Sequence, residues 1–428
     1  MNANYKFETQ CLHGGQEPDP ATTARGVPVH RTSSYVFNST EHAANLFALK
    51  ELGNIYSRIM NPTQDVLEQR VAALEGGAAA LALSSGTSAV YYAIINICAA
   101  GDEIVSASNL YGGTYTMFDS ILPQFGIQVK FADSRNPESF APAITEKTRA
   151  IFIETIGNPV LEFTDISAIA EIAHSHNLPL IVDATFTTPY LLKSIEHGAD
   201  IVVNSLTKWM GGHGTGIGGI VIDSGKFDWQ DSKFKLFNEP DPSYNDIRYA
   251  HDLGDMNPIA FILRMRLVPL RNLGACISPD NAWMFLQGLE TLPLRMQRHC
   301  ENAAAVARFL KEHPNVEWVR YPGLADDPTY PLASKYLKNG FGGMVVFGIK
   351  GGLQAGQKFV DSLNLFSHLA NVGDAKSLVL HPSSTSHSQL SEEQQKAGGL
   401  TPDLVRLSIG LEHIDDIKQD LEQAFSQT

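Results

Sequence analysis

The 428-residue chain contains few cysteines and carries no excess of positive charge. It has four cysteines (Cys11, Cys98, Cys276 and Cys300) and no C-x-x-C pair, which excludes a disulfide framework and a zinc knuckle and favours a reducing compartment. Its 32 lysines and arginines stand against 46 aspartates and glutamates, giving a net charge of −14. Because nucleic-acid binders need a basic face to release counterions, a nucleic-acid partner is disfavoured.

Long apolar runs, repeats and low-complexity tracts are also missing. The longest apolar stretch, near residues 90–101, is too short to cross a bilayer. The opening residues MNANYKFETQCLHGG do not have the basic and then apolar pattern of a secretory signal. Hydrophobic residues make up 43% and charged residues 18%, as in ordinary globular proteins. We therefore expect a cytoplasmic protein with no membrane partner.

What the sequence does contain is a regular alternation of short apolar runs and helical periods. Residues 163–177, FTDISAIAEIAHSHN, have a helical period, and Asn61 followed by Pro62 predicts the start of another helix. Such alternation predicts an α/β fold with a mostly parallel seven-stranded sheet covered by helices. The seven predicted strands are residues 79–84, 103–107, 127–131, 150–154, 179–183, 200–204 and 218–223.

The pattern also predicts a division into domains. Residues 61–278 form a large domain, in which residues 225–275, rich in aromatics, Asp and Pro, are an elaborated loop. A helical pattern begins behind Pro279 and continues to about Lys311 as a connecting helix. The remainder of 279–428 contains a strand-like MVVFGI (344–349) and a polar stretch at 383–399, and it reads as a smaller C-terminal α+β domain.

Two predicted strands end in charged residues that packing does not require. One strand ends on Asp183, and the next leads into Lys208, directly before a glycine cluster. A lysine in that place is desolvated, which lowers its pKa and makes its amine a nucleophile for a carbonyl group. The ordinary alternatives are a solvated loop lysine and, for Asp183, a helix cap or an ion pair.

Other motifs point to anion binding or to nothing beyond structure. Residues 214–219 match G-x-G-x-x-G, but a strand follows them where a dinucleotide site needs a helix. Residues 84–88, SSGTS, open a helix and are a better phosphate site, although a plain helix cap would look the same. Structural roles are expected for the histidines near glycine or proline, because their spacing does not fit a metal site; these are His13, His213, His381 and His387.

The motifs SSGT (84–87), NLYGGTY (109–115), GNP (157–159), VDATF (182–186) and SLTKWMGGHG (205–214) occur in this order along the chain. Together with YSRIMNPT (56–63) and VRLSIGLE (405–412), they resemble the Cys/Met metabolism family of fold type I pyridoxal-phosphate (PLP) enzymes. The resemblance covers nearly the whole chain. Residues 371–391 and the long loop after His251 look most like the O-acetylhomoserine sulfhydrylase branch.

The resemblance implies a role for each matching residue. Lys208 would hold PLP as a Schiff base and shuttle protons, Asp183 would pair with the pyridine nitrogen, and Tyr111 would stack on the ring with its hydroxyl near the substrate. Four residues would hold the phosphate (Gly86, Thr87, Ser205 and Thr207), and Asn158 would face the phenolic oxygen.

Three further roles concern the substrate and a second chain. Arg406 would bind the substrate carboxylate through its planar fork, with a surface ion pair as the alternative. Asn371 lies where many relatives have a serine near that carboxylate. Tyr56 and Arg58 would reach the phosphate of a neighbouring subunit, so residues 1–60 would contact that subunit in a homodimer, which would pair further into a tetramer.

The activity implied is γ-replacement, in which O-acetyl-L-homoserine and sulfide or methanethiol give L-homocysteine or methionine and acetate, in methionine and cysteine biosynthesis. The alternatives within the family are a methionine γ-lyase and a cystathionine γ-synthase-type enzyme. Gly113 stands where methionine-degrading lyases carry a reactive cysteine, which counts against a lyase. From a different class, a dinucleotide-dependent oxidoreductase would use the same parallel sheet.

Overall fold

The computed structural model describes residues 5–385 and 399–428. His387 and most of the polar stretch 383–399 lie outside these residues. Within them, no helix is both long enough and apolar enough to span a membrane. The four cysteines are free thiols.

Seven strands form the large sheet, and each lies within a residue or two of its predicted position. They are β1 Ala79–Leu83, β2 Glu103–Ala107, β3 Gln128–Ala132, β4 Thr148–Glu154, β5 Leu180–Asp183, β6 Ile201–Ser205 and β7 Gly219–Asp223. Their order across the sheet is β1-β7-β6-β5-β4-β2-β3. The neighbouring pairs from β6 to β3 are parallel, which confirms the predicted fold class.

Strand β7 runs against the others, since its pairs with β1 and β6 are antiparallel. The chain therefore passes from the glycine cluster straight into a strand. No helix N-terminus follows these glycines to receive a pyrophosphate, so the dinucleotide motif is not a dinucleotide site, as predicted.

Helices cover the sheet and supply most of the remaining regular structure. They are α1 Phe7–His13, α2 Thr40–Phe47, α3 Pro62–Glu75, α4 Gly86–Ile95, α5 Gly112–Thr116, α6 Ile166–Ser175, α7 Thr188–Leu191, α8 Lys235–Asn238, α9 Ala260–Met265, α10 Arg271–Leu273, α11 Pro279–Glu290, α12 Leu292–Glu312, α13 Tyr330–Tyr336, α14 Gly352–Ser362 and α15 Ile414–Phe425. As predicted, Asn61 caps α3, its side-chain oxygen accepting a hydrogen bond of 3.0 Å from the backbone N–H of Thr63.

The predicted connecting helix is two helices instead of one. It breaks at Thr291, between α11 and α12. Pro293 lies in the first turn of α12, where the missing N–H is tolerated, whereas an unbroken helix would place it in the interior.

A second, five-stranded sheet lies in the C-terminal part of the chain. It contains β8 Val316–Arg320, β9 Met344–Ile349, β10 Ser367–His368, β11 Leu378–Leu380 and β12 Leu404–Ser408, in the order β10-β11-β12-β9-β8. Strand β9 coincides with the predicted MVVFGI. The large sheet and this one each have an apolar core, and the second core takes in α12 from Ala303 onward. The boundaries at residues 61 and 279 stay a prediction.

Candidate active site

Most of the predicted site residues gather where the parallel strands of the large sheet end. Asp183 is the last residue of β5, and Ser205 is the last residue of β6, the neighbouring strand. Tyr111 follows β2, and Gly86 opens helix α4 after β1. Because carboxyl ends of parallel strands meet at one edge, four segments distant in sequence converge there.

Lys208 lies in the turn after β6 and is partly buried. Its Nζ donates a hydrogen bond of 2.5 Å to Oδ1 of Asn371, which comes from the C-terminal part of the chain. Burial, and then the positive charge of Arg406, lower the pKa of the Lys208 amine from 10.5 to about 8. The alternative of a solvated loop lysine is therefore wrong. At pH 7 about a tenth of this amine is neutral, and so nucleophilic, far more than for a lysine with the ordinary pKa.

The Asp183 carboxyl is anchored by the loop that follows it. Its Oδ1 accepts a hydrogen bond of 2.9 Å from the backbone N–H of Thr185, and the Thr185 hydroxyl accepts one of 2.9 Å from the N–H of Ser205. Burial raises the pKa of Asp183. A cationic partner would lower this pKa again, because opposite charge favours the ionised carboxylate.

The predicted phosphate residues form a close-packed corner. A Cβ atom added at Gly86 would lie only 2.7 Å from Cβ of Ser205, so a residue with a side chain does not fit there without displacing Ser205. Thr87 is exposed on the first turn of α4, whose unpaired N–H groups and dipole favour an anion. The Thr207 hydroxyl accepts a hydrogen bond of 3.1 Å from the N–H of Gly218. The helix end and the end of β6 therefore meet.

Arg406 enters the same region from β12 of the second sheet. It is 7% exposed, and its Nη1 donates a hydrogen bond of 3.1 Å to Oδ1 of Asn158. Burial lowers its pKa to about 10, an effect opposed by Tyr111. A surface ion pair is therefore wrong for this arginine. Its guanidinium keeps donors available for a planar carboxylate.

Tyr111 lies at the mouth of the site, with 53% of the residue exposed. Its ring covers Gly113: a Cβ atom added there would lie 2.6 Å from Cε1 of the ring. A cysteine at this position, as in methionine-degrading lyases, would displace the Tyr111 ring from where it lies here.

Tyr56 and Arg58 are not brought to the other predicted residues. The Arg58 guanidinium carbon lies 5.3 Å from the centroid of the Tyr56 ring, which is itself 41% exposed. In the described part of the chain, no hydrogen bond or ion pair joins either residue to the set around Lys208. Tyr56 is exposed and Arg58 is partly buried.

Two of the histidines expected to have structural roles, His381 and His213, make hydrogen bonds within the protein. His381 is buried and bonds to the Ser384 hydroxyl and the Pro402 carbonyl oxygen, each at 2.9 Å. His213 contacts the Gly211 carbonyl oxygen at 2.6 Å. Across residues 5–385 and 399–428, the structure contains no group of three His, Cys, Asp or Glu side chains that could hold a metal ion.

Two residues of the site, Glu154 and Thr185, were missed from the sequence. Glu154 ends β4 beside Asp183, and its Oε1 accepts a hydrogen bond of 2.7 Å from the backbone N–H of Tyr111. The signal was present, since the predicted strand AIFIE ends on an acid just as PLIVD ends on Asp183. Thr185 was also missed, and a threonine after a strand carries no distinguishing pattern.

The arrangement fits pyridoxal phosphate. It combines a lysine amine of lowered pKa, a carboxyl that a cation would ionise, an anion site at a helix N-terminus and an exposed aromatic ring. An aldehyde, a pyridine nitrogen, a phosphate and a flat ring are the groups that these four features accept.

Comparisons with known proteins agree with this chemistry. The sequence profile of the Cys/Met metabolism PLP-dependent enzymes matches residues 8–426. The chain is 56% identical to the O-acetyl-L-homoserine sulfhydrylase of Leptospira meyeri (99% of this chain, 97% of that protein) and 51% identical to the homocysteine synthase of Schizosaccharomyces pombe (98% and 97%). A Campylobacter jejuni crystal structure containing N'-pyridoxyl-lysine-5'-monophosphate superposes with a TM-score of 0.95 at 41% identity, covering 99% of this chain and all of that one. The chain belongs to the Cys/Met metabolism family of PLP-dependent enzymes.

Proposed function

We propose that the protein catalyses γ-replacement on O-acetyl-L-homoserine: sulfide or a small thiol displaces acetate to give L-homocysteine or its thioether. The observation that carries the proposal is that the buried guanidinium of Arg406, suited to a carboxylate, lies close enough to the Lys208 amine to lower its pKa. Relatives at 56% and 51% identity, over nearly their full lengths, bear the names O-acetyl-L-homoserine sulfhydrylase and homocysteine synthase.

Lys208 is the proposed proton carrier. Its Nζ takes the proton from Cα of the substrate, then one from Cβ, and returns protons after the thiol has added. Asn371 accepts a hydrogen bond from the Lys208 amine and holds the amine in place when it is free. Acetate is a good leaving group, so its departure needs little acid assistance. Tyr111 is therefore assigned to stacking on the cofactor ring and to assisting the proton transfers.

The remaining roles divide between substrate and cofactor. When bound, pyridoxal phosphate supplies an electron sink that stabilises negative charge next to the amino group. Asp183 would keep the pyridine nitrogen protonated, and Asn158 would face the phenolic oxygen. Arg406 holds the substrate carboxylate, with Asn371 beside it. Four residues of one chain would hold the phosphate: Gly86, Thr87, Ser205 and Thr207.

The lyase alternative is disfavoured by Gly113. Its place beneath the Tyr111 ring leaves no room for a reactive cysteine side chain without moving the ring. A cystathionine-forming enzyme would share the cofactor site and differ in the nucleophile.

A substrate panel tests the proposal. Acetyl-, succinyl- and phosphohomoserine, O-acetylserine, methionine and cystathionine are each incubated with sulfide and with methanethiol, and products are identified. We expect homocysteine and acetate from O-acetylhomoserine only when sulfide is present. Release of ammonia and an α-keto acid in equal amounts, in the absence of a thiol, would show a lyase instead.

Arg406→Lys is expected to be damaging although it conserves charge. A guanidinium binds a carboxylate through two parallel bonds and fixes the Cα–H bond, whereas an ammonium is a point charge. We expect KM for O-acetylhomoserine to rise at least about tenfold, which is ~1.4 kcal/mol of binding. The absorption spectrum of the bound cofactor should not change. Kinetics within about twofold of wild type, or loss of cofactor, would remove Arg406 from the substrate pocket.

Cofactor uptake by the cofactor-free protein should depend on pH through Lys208. The neutral amine is the nucleophile, and its fraction grows as pH rises through the pKa. The uptake rate, followed by absorbance, should therefore have its midpoint near the Lys208 pKa of about 8. Arg406→Gln removes the charge that helps to lower this pKa and should shift the midpoint upward. A midpoint above pH 10 in the wild type would contradict the assignment.

The active unit is proposed to be a homodimer with shared sites, assembling further into a tetramer. Tyr56 is exposed, and the N-terminal segment also exposes apolar side chains such as Val36 (96% exposed) and Leu52 (67%). Exposed apolar surface of this kind is typical of protein interfaces. We further propose the domains 61–278 and 279–428, and a cytoplasmic location.

Mixing inactive subunits tests the shared site. Subunits with Arg58→Ala and subunits with Lys208→Ala should regain activity together, because one site of a mixed dimer keeps both groups. The matched control mixes Lys208→Ala with Arg406→Ala. Those residues lie in one pocket of one chain, so no mixed site is intact and no activity should return. If the mixture of Arg58→Ala and Lys208→Ala subunits regained no activity after subunit exchange had been verified, Arg58 would not belong to the neighbour's active site.

A further inference from the structure

Glu154 is a buried acid that the proposed reaction does not use. It is 6% exposed, it ends β4, and it is paired in the parallel register with Asp183 at the end of β5. Residues paired across neighbouring strands project from the same face of a sheet. The Glu154 and Asp183 carboxyls therefore lie side by side at the edge where the site forms.

The Glu154 side chain holds the backbone of Tyr111. Its Oε1 accepts the Tyr111 N–H at 2.7 Å, while the Tyr111 carbonyl oxygen accepts the N–H of Tyr115 at 2.9 Å. Tyr111 is the residue before helix α5, and its own side chain makes no capping bond. The N–H on one side is thus fixed by Glu154, and the carbonyl on the other by the helix.

We propose that Glu154 is a positioning residue: its carboxyl group sets the place of the Tyr111 ring by holding the Tyr111 backbone. This inference rests on the proposed function, because it takes from there the role of Tyr111 at the cofactor and substrate.

The charge state of Glu154 suits this role. Burial and the neighbouring Asp183 both raise the Glu154 pKa well above its ordinary value. Two adjacent buried carboxyls cannot both ionise without a large cost, so a neutral Glu154 leaves the negative charge to Asp183. A neutral carboxyl still accepts a hydrogen bond through its carbonyl oxygen. Glutamine has the same length and the same acceptor, and it should replace Glu154 well.

The test compares Glu154→Gln, Glu154→Asp and Glu154→Ala in the holoenzyme. We expect Gln to keep kcat within about threefold, and Ala to lower it about 100-fold, as a misplacement of about 1 Å does, with a small change in KM because Arg406 is untouched. In Glu154→Asp the side chain is one methylene shorter, so its kcat should lie between those of the other two variants. Loss of activity in the Gln variant equal to that in the Ala variant would overturn the proposal.

Glu75→Gln and Glu75→Ala are the matched controls. Glu75 is also fully buried, its pKa is raised by burial to about 8, and its Oε1 accepts a backbone N–H, that of Ser194, at 2.6 Å. It lies on α3 outside the site. We expect the alanine variants at both positions to lower the thermal midpoint of unfolding. Only Glu154→Ala should also lower kcat. An equal fall in kcat in both series would show that the Glu154 effect is one of stability alone.

A second readout does not depend on turnover. The visible circular dichroism of bound PLP reports its asymmetric surroundings, so Glu154→Ala and Tyr111→Ala should change this signal alike at full cofactor content, and the double variant should change it no further. In this double-mutant cycle, additive effects of Glu154→Ala and Tyr111→Ala would mean that Glu154 does not act through Tyr111. That result would overturn the inference. Failure of the substrate panel with an intact cycle would instead count against the proposed reaction alone.

Discussion

Lys208→Ala is expected to abolish turnover of O-acetylhomoserine while leaving the fold intact. Lys208 is the only lysine in the described residues that bonds to Asn371 in the site, and its amine is assigned to both cofactor attachment and proton transfer. The variant should still take up pyridoxal phosphate through the phosphate corner at Gly86 and Ser205. Its absorbance should be that of the free aldehyde, and borohydride should fix no cofactor to the chain.

Lys193→Ala is the control for this prediction. Lys193 is also partly buried, but its Nζ lies 3.9 Å from the Glu196 carboxylate, in the segment before β6. Its loss should leave turnover near wild type. Peptide mapping of the reduced wild-type enzyme should find the pyridoxyl group on Lys208. Wild-type turnover by Lys208→Ala would end the proposed mechanism.

Asp183→Asn should reduce turnover by several orders of magnitude with little change in stability. The amide oxygen can still accept the Thr185 N–H, so the local turn is kept. The negative charge is lost, and with it the group that keeps the pyridine nitrogen protonated, which weakens the electron sink that every step needs. A loss of less than about tenfold, ~1.4 kcal/mol on the barrier, would show that Asp183 is not the partner of the ring.

Asp223→Asn separates this effect from the cost of altering a buried acid. Asp223 is fully buried, its pKa is raised to about 7, and its Oδ1 accepts the N–H of Gly225 at 2.9 Å, the same bond two residues ahead that Asp183 makes. Because β7 is antiparallel, Asp223 ends at the opposite edge of the sheet, beside Ile201. Asp223→Asn should keep turnover, and the bound cofactor's absorption should be unchanged.

The sequence alone predicted the seven strands of the large sheet and the chemistry of individual groups, but not the break at Thr291 or most strands of the second sheet. Strands and helices follow from the local period of apolar residues, and caps such as Asn61 act within a few residues, so both can be predicted from neighbours along the chain. The ends of PLIVD and DIVVN pointed to Asp183 and Lys208 because acids and lysines at the ends of buried strands are not required by packing. The ordered motifs then indicated the family and its cofactor.

Tertiary structure decided which groups meet. The bond from Lys208 to Asn371 spans 163 positions, and that from Arg406 to Asn158 spans 248, so both depend on how the second sheet packs against the first. The same holds for the contact of Gly86 with Ser205 and for Glu154 holding Tyr111. Local periodicity is set by residues a few positions apart, whereas these contacts are set by strand order and by the burial of two apolar cores, which no local pattern encodes.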